Sequence, residues 1–293
     1  MNNFTYTKPK DVTSLYRIKK EEGKRGIVLA GSTNLMVYIK DGKYTEGKLI
    51  DIGDVAELRG IEKLNGPGEP AALRIGAGET IASLLESETL RETIPFFQVS
   101  MKTFANPLVR NMSTIGGNIA DASPIADTAP VLLVLEGRVV LGSASGERTV
   151  PVEEFFTGPG TSSIREDEVL HSIVLPIPKK GRGGFVKLRL RHGTACSVAS
   201  AAVWLAEEDR KVEEIRIAFG GVAPKPVRAY AAEKLFLGKV LDSRETVEKF
   251  ARSAQEEISP ITDVRAGAEY RKQVSVKLLV KAVMNCLESG GSA

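Results

Sequence analysis

The chain is 293 residues long, with 40 basic against 37 acidic side chains, a net charge of +3, and 42% hydrophobic and 26% charged residues. That near-balance carries no electrostatic signature of a nucleic-acid binder. No run approaches the roughly eighteen continuous apolar residues of a membrane span, no apolar signal core follows Met1-Asn2-Asn3-Phe4-Thr5, and the length suits one large or two modest domains.

The chain opens as a small β/α unit. A strand is expected over 4–7, a helix between Asp11 and Gly23, and strands over 27–29 and 49–52. Ala30-Gly31-Ser32-Thr33-Asn34-Leu35 then leads into the β-rich run Met36-Val37-Tyr38-Ile39, so it reads as a tight polar turn with exposed N–H groups. Gly42-Lys43-Tyr44-Thr45-Glu46-Gly47-Lys48 comes near a P-loop, but Leu49 stands where Mg²⁺ coordination needs a hydroxyl; it reads as a hairpin turn. A strand over 73–76 precedes amphipathic helices over 81–90 and 96–104, the second closed by Asn106-Pro107. Gly76-Ala77-Gly78-Glu79-Thr80-Ile81 starts like a dinucleotide fingerprint, but isoleucine occupies the third glycine position.

The densest stretch is Thr114-Ile115-Gly116-Gly117-Asn118-Ile119-Ala120-Asp121-Ala122-Ser123-Pro124-Ile125-Ala126-Asp127. Gly116-Gly117 allows a sharp turn and close approach to a ligand, and successive N–H groups in such a turn form an anion-binding concavity. Ser123-Pro124 reads as N-cap and first residue of a helix. Two small, polar, Gly-containing loops in one chain point to a shared extended ligand such as a dinucleotide. Beyond them, 139–141 and 148–150 pair as a hairpin, and 169–175 is a strand stopped by Pro176 and Pro178. Residues 179–184 read as a solvated linker. Strands over 185–190, 197–205 and 212–219 then precede helices around 229–237, 244–257 and 270–288, an α+β arrangement.

The two loops closely resemble the "AGGTDL" and "TIGGNIANASPAAD" loops of the FAD-binding medium subunit of molybdenum hydroxylases, the xanthine dehydrogenase, carbon monoxide dehydrogenase and aldehyde oxidase family. The resemblance continues through Leu175-Pro176, Phe185-Val186-Lys187, the run from Gly220 to Ala229, Asp263-Val264-Arg265-Ala266 and Tyr270-Arg271. Three departures stand out: Ser32 in place of glycine, Asn34 in place of aspartate, and Asp121 in place of asparagine. Serine at a position needing φ > 0 is strained.

The resemblance implies an N-terminal two-lobed PCMH-type FAD-binding domain over 1–177 (lobes about 1–55 and 56–177), followed over 178–293 by a three-stranded antiparallel sheet with helices. It implies non-covalent FAD, wrapped by Val28, Leu29, Ala30, Gly31, Ser32, Thr33, Asn34 and Leu35 on one side. Thr114, Ile115, Gly116, Gly117, Asn118, Ser123 and Asp127 hold it from the other, with further contacts from Phe104, Leu170 and Lys187. It implies a cytoplasmic, electron-transferring subunit of a xanthine dehydrogenase-like complex. A large molybdopterin-binding subunit and a small [2Fe–2S] subunit are its partners, and NAD is among the acceptors. A stand-alone flavin-dependent oxidoreductase and a non-catalytic nucleotide-binding accessory protein are the alternatives.

Plainer readings stand beside these. Phe104 and Leu170 suit core packing, Lys187 a solvated strand face, and Asp127 the charge at a helix start. His171 and His192 form no metal-binding pattern and read as structural or solvated. Cys196 and Cys286 read as buried thiols in a reducing compartment. No acid–base residue of this chain is expected to be indispensable, since a flavin brings its own chemistry.

Overall fold

The computed structural model describes residues 3–66, 71–191, 193 and 195–288. Its first lobe holds β1 (Asn3–Thr7), α1 (Val12–Glu22), β2 (Gly26–Leu29), α2 (Leu35–Lys40) and β3 (Glu46–Asp51). The strands lie in the order β1-β3-β2 and pair in parallel. α1 begins where its sequence implies: Asp11 Oδ1 accepts from the Ser14 N–H at 2.7 Å, and Gly23 ends it at φ +54°.

Parallel neighbours cannot be joined by a hairpin and need a crossover. Met36-Val37-Tyr38-Ile39, expected as a β-rich run, is therefore helical in α2; the crossover outweighs propensities of a few tenths of a kcal/mol per residue. Residues 42–48 are likewise not a hairpin turn: 42–45 complete the link from α2, and 46–48 already belong to the parallel β3. Leu15, Ile50, Val55 and Leu58 form the core of this lobe.

The second lobe continues with β4 (Ile61–Leu64), β5 (Ala72–Gly76), α3 (Ile81–Glu86), α4 (Glu88–Thr93), α5 (Pro95–Ser100), α6 (Pro107–Met112), α7 (Ile115–Ala120) and α8 (Thr128–Val134). After them come β6 (Arg138–Ser143), β7 (Gly146–Pro151), α9 (Val152–Phe155), β8 (Phe156–Gly158), β9 (Thr161–Ser162) and β10 (Val169–Pro176). An antiparallel sheet of order β4-β5-β10-β6-β7 backs the helices, with β6–β7 as the expected hairpin.

Three helix expectations are corrected here. The helix over 81–90 is broken at Ser87, whose extended backbone lets Oγ cap the Leu90 N–H at 3.2 Å. Gln98 Nε2 then donates to the carbonyls of Leu84, Leu85 and Ser87 that the break leaves open. The helix over 96–104 ends at Ser100 and tightens into a 3-10 turn. Ser123-Pro124 opens no helix. The Pro124 carbonyl accepts instead from the Gly221 N–H at 2.8 Å, and α8 starts at Thr128.

The C-terminal part holds β11 (Arg182–Arg189), β12 (Ser197–Glu208), β13 (Lys211–Gly220), β14 (Val227–Arg228), α10 (Tyr230–Phe236), α11 (Arg244–Ala251) and α12 (Ala268–Glu288). Its antiparallel sheet has four strands, not the expected three. The added β14 is two residues long and exists only through pairing with Ala218 and Phe219, so no local pattern announces it. β11 already begins at Arg182, which takes the end of the expected linker into the sheet. The helix over 244–257 stops at Ala251 before a 3-10 turn.

β12 is buried on both faces. Ala202 and Trp204 alternate toward the second lobe, while Ala201, Val203 and Leu205 face the helical layer of α10–α12. Gly183 in β11 lies against the Phe96 ring, where any Cβ would overlap it. Arg271 of α12 is fully buried and donates to the carbonyls of Val198 and Gly221, each at 2.8 Å, and to Asp263 at 2.6 Å. The 263 and 271 positions are thus an internal brace for this layer. The C-terminal sheet is fixed against the second lobe, with the start of β12 beside Asp127.

Candidate functional site

A cavity of about 600 Å³ opens where both lobes and the edge of the C-terminal sheet meet. That lies within the ordinary range for a cofactor site. The first loop, 30–35, links β2 to α2. Gly31 packs so closely on the segment before α7 that a Cβ would overlap the Met112 carbonyl oxygen. Two side-chain bonds reinforce this contact: Thr33 Oγ1 with Ser113 Oγ at 3.0 Å, and Asn34 Nδ2 donating to Asp121 Oδ2 at 3.0 Å. Two of the three family departures, Asn34 and Asp121, are therefore partners of each other across the cavity mouth.

Among the described residues, the main-chain N–H groups of Gly31, Ser32, Thr33, Asn34 and Leu35 donate to no protein acceptor. They cluster at the start of α2, where the helix dipole also favours an anion. The second loop differs from its sequence reading. It is the helix α7, capped by Thr114 Oγ1, which accepts from the Gly117 N–H at 3.0 Å. The Ile115 and Gly116 N–H groups donate to the Glu79 and Ala77 carbonyls, both at 2.9 Å. The anion-binding N–H groups expected at Gly116-Gly117 are therefore spent, and the unspent ones belong to the first loop. Gly116 is required by contact, since a Cβ there would lie 2.5 Å from Ala77 Cβ.

Asp127 stands at the head of α8 but makes no capping bond to it. Its Oδ2 pairs with Lys187 Nζ at 2.5 Å, and its Oδ1 accepts from Ser197 Oγ at 2.5 Å. The side chains of Lys187 and Asp127 are 2% and 9% exposed. A solvated Lys187 and a merely helix-terminal Asp127 are both corrected by this buried pair. Thr128 Oγ1 donates to Asn118 Oδ1 at 2.5 Å and orients its amide.

Val28, Ala30 to Leu35, Phe104, Thr114, Gly116, Gly117, Asn118, Ser123, Asp127 and Leu170 line the cavity. Leu29 and Ile115 do not; Ile115 is fully buried in the core beneath α7. Lys187 stands behind Asp127. Sequence reasoning missed Lys19, Tyr38, Tyr44 and Ser113 on the wall, which also includes Asp121, singled out in the sequence only as a departure. Tyr38 was within reach, being one helical turn past Asn34 once α2 is known to be a helix; burial and the Asp121 carboxylate push its hydroxyl up to about 12.

Cys196 also lines the cavity and is exposed, contrary to its reading as a buried thiol; Cys286 is buried, and burial pushes its thiol up to about 12. His171 lies off the cavity, with Nδ1 2.7 Å from the Tyr16 hydroxyl and 3.4 Å from Glu147. Burial holds its pKa below the usual value. His192 is outside the described residues.

Ser32 sits at φ +57°, the left-handed region its sequence position implied. For a residue with a Cβ this costs about 1–2 kcal/mol, offset in part by its Oγ bond to the Ala30 carbonyl at 3.2 Å. Ser32→Gly is expected to stabilise the chain by about 0.5–1 kcal/mol, read as a rise in melting temperature. A fall would show that the turn is not held in this conformation.

Residues 2–178 match the family described as FAD binding domain in molybdopterin dehydrogenase, and residues 185–286 match the CO dehydrogenase flavoprotein C-terminal domain. The carbon monoxide dehydrogenase medium chain of Hydrogenophaga pseudoflava is 31% identical over 281 residues, covering 96% of each chain. The glyceraldehyde dehydrogenase medium chain of Sulfolobus acidocaldarius is 32% identical over 255 residues, covering 87% of this chain and 88% of that one. A solved carbon monoxide dehydrogenase from Hydrogenophaga pseudoflava, which lacks the Mo-pyranopterin moiety of its cofactor, superposes with a TM-score of 0.92 at 30% identity, covering 98% of each chain.

Proposed function

The chain belongs to the family of FAD-binding subunits of molybdopterin dehydrogenases, and we propose from that membership that it serves a heteromeric molybdenum hydroxylase as its electron-transfer flavoprotein. Its partners are a large molybdopterin-binding subunit and a small [2Fe–2S] subunit. The chain's two cysteines are too few for a [2Fe–2S] centre, which takes four ligands. The electron acceptor is NAD⁺ or another oxidant, in the manner of a xanthine dehydrogenase. No helix among the described residues is long and apolar enough to cross a membrane; two cysteines in 293 residues suit the cytoplasm.

The observation that carries this reading is the row of unspent N–H groups from Gly31 to Leu35 on a cavity sized for a dinucleotide. FAD, when bound, supplies a carrier that takes electrons singly and releases them in pairs. The chain's own residues bind and orient. The first-loop N–H groups donate to phosphate oxygens, which suits an anion far better than a neutral ligand. Asp127, held by Lys187 and Ser197, accepts from sugar or ribityl hydroxyls with its remaining lone pairs. Phe104, Leu170 and Val28 give an apolar wall that keeps water from the ligand. No residue of this chain is assigned a proton-transfer role.

Acid precipitation of the purified protein is expected to release FAD into the supernatant at about one per chain. Flavin retained in the pellet would overturn non-covalent binding, and a preparation taking up FMN but not FAD would overturn the dinucleotide. Co-purification with molybdenum and iron tests the complex; a flavoprotein that purifies alone and turns over NADH would favour the stand-alone oxidoreductase.

A further inference from the structure

Lys19 lies in the last turn of α1, where the sequence gives it no distinction, yet it is 7% exposed and its side chain reaches the cavity wall. Its Nζ donates to the Gly23 carbonyl at 2.7 Å and to the Gly26 carbonyl at 2.9 Å. An ammonium has three N–H donors, so one remains. Among the described residues no carboxylate lies within ion-pair distance of it. The acidic groups that act on it are Glu166, held by Lys24 at 3.0 Å, and Asp167; both favour its charge through space without bonding to it. Burying a cation with only neutral partners is costly, and burial accordingly lowers the Lys19 pKa. Such a group gains from any acceptor that enters beside it.

The surroundings say which acceptor. On this part of the wall Val28, Ile164, Val169 and Leu170 present an apolar surface of the kind that takes a flat base. The buried Asp127–Lys187 pair belongs to the wall made by α8 and the C-terminal sheet; if the hydroxyls it binds are those of the ribityl chain, the flavin half lies there. With phosphates on the first loop between them, the α1 wall is left for the nucleotide half. We propose that Lys19 recognises the adenosine half of the dinucleotide, its free N–H donating to a ring-nitrogen acceptor of the purine, as lysine does with purine edges elsewhere. The inference rests on the FAD reading and adds to it the residue that separates FAD from FMN.

The test compares Lys19→Met and Lys19→Arg with wild type. FAD, FMN and ADP are each titrated into apo-protein, with flavin fluorescence and displacement of FAD as readouts, and a melting curve is taken for each variant. Lys19→Met is expected to weaken FAD and ADP ten- to a hundredfold and to leave FMN within twofold. Lys19→Arg keeps the charge and the carbonyl bonds, and therefore the fold. Its larger head crowds the purine, so it too should lose FAD and ADP but not FMN. If Lys19 only ties the end of α1 to the start of β2, FAD and FMN affinities would fall together, or neither would move while the melting temperature drops; either result overturns the assignment. Wild-type protein that binds no FAD would instead overturn the underlying FAD reading.

Discussion

Replacing Gly31 with alanine is expected to weaken FAD at least a hundredfold, close to 3 kcal/mol, and to lower the melting temperature. The new Cβ would overlap the Met112 carbonyl oxygen and come within 3.0 Å of Ser113 Cα. Both are main-chain atoms and cannot swing aside as a side-chain tip would. Relief requires the first loop to lift away from the segment before α7. That movement breaks the Thr33–Ser113 and Asn34–Asp121 bonds and turns five N–H donors away from the phosphate position. Overpacking of this kind costs typically about 1–3 kcal/mol in stability alone. Gly193→Ala is the control, since nothing among the described residues lies within 4 Å of its Cβ position. Titration of FAD into apo-protein and a melting curve check both effects. A Gly31→Ala protein indistinguishable from Gly193→Ala would show that the two loops do not depend on this contact.

Asp127→Ala should be the second severe substitution, and for two separable reasons. It leaves the Lys187 ammonium, 2% exposed, without its carboxylate. Removing one member of a buried pair costs about 3–5 kcal/mol. It also removes an acceptor from the cavity wall, and a charged acceptor bonded to a hydroxyl is worth about 1.5–3 kcal/mol, or roughly ten- to a hundredfold in FAD affinity. Asp127→Asn should lose less of both. The double variant Asp127→Ala/Lys187→Met separates the two effects: with the orphaned charge gone, much of the stability should return while FAD affinity stays low. If the carboxylate were only a helix-terminal charge, Asp127→Ala would cost some tenths of a kcal/mol and the double variant would gain nothing.

Features governed by near neighbours were legible in the residue order. The Asp11 cap and the Gly23 stop of α1 are settled within a single turn or two of chain. The β6–β7 hairpin closes over a few residues. The left-handed turn at Ser32 was announced by the resemblance, which has glycine at that position. Two polar, Gly-containing loops were enough to suggest a dinucleotide and, by resemblance, FAD. What the chain order alone misread or missed depends on residues far apart in it. α2 is helical because β2 and β3 run parallel and demand a crossover, a fact absent from Met36-Val37-Tyr38-Ile39 itself. Gly116 looked like an anion donor until α7 packed beside Ala77, whose carbonyl takes its N–H, while the Gly117 N–H goes to the local Thr114 cap. Asp127 meets Lys187 and Ser197 across 60 and 70 residues, and Lys19 reaches a cavity whose other walls come from the second lobe and the C-terminal sheet. Local hydrogen bonding and sterics act over a few residues and leave a mark in the sequence. The direction of a buried charge, and whether an N–H is already spent, are decided by which distant elements pack against it.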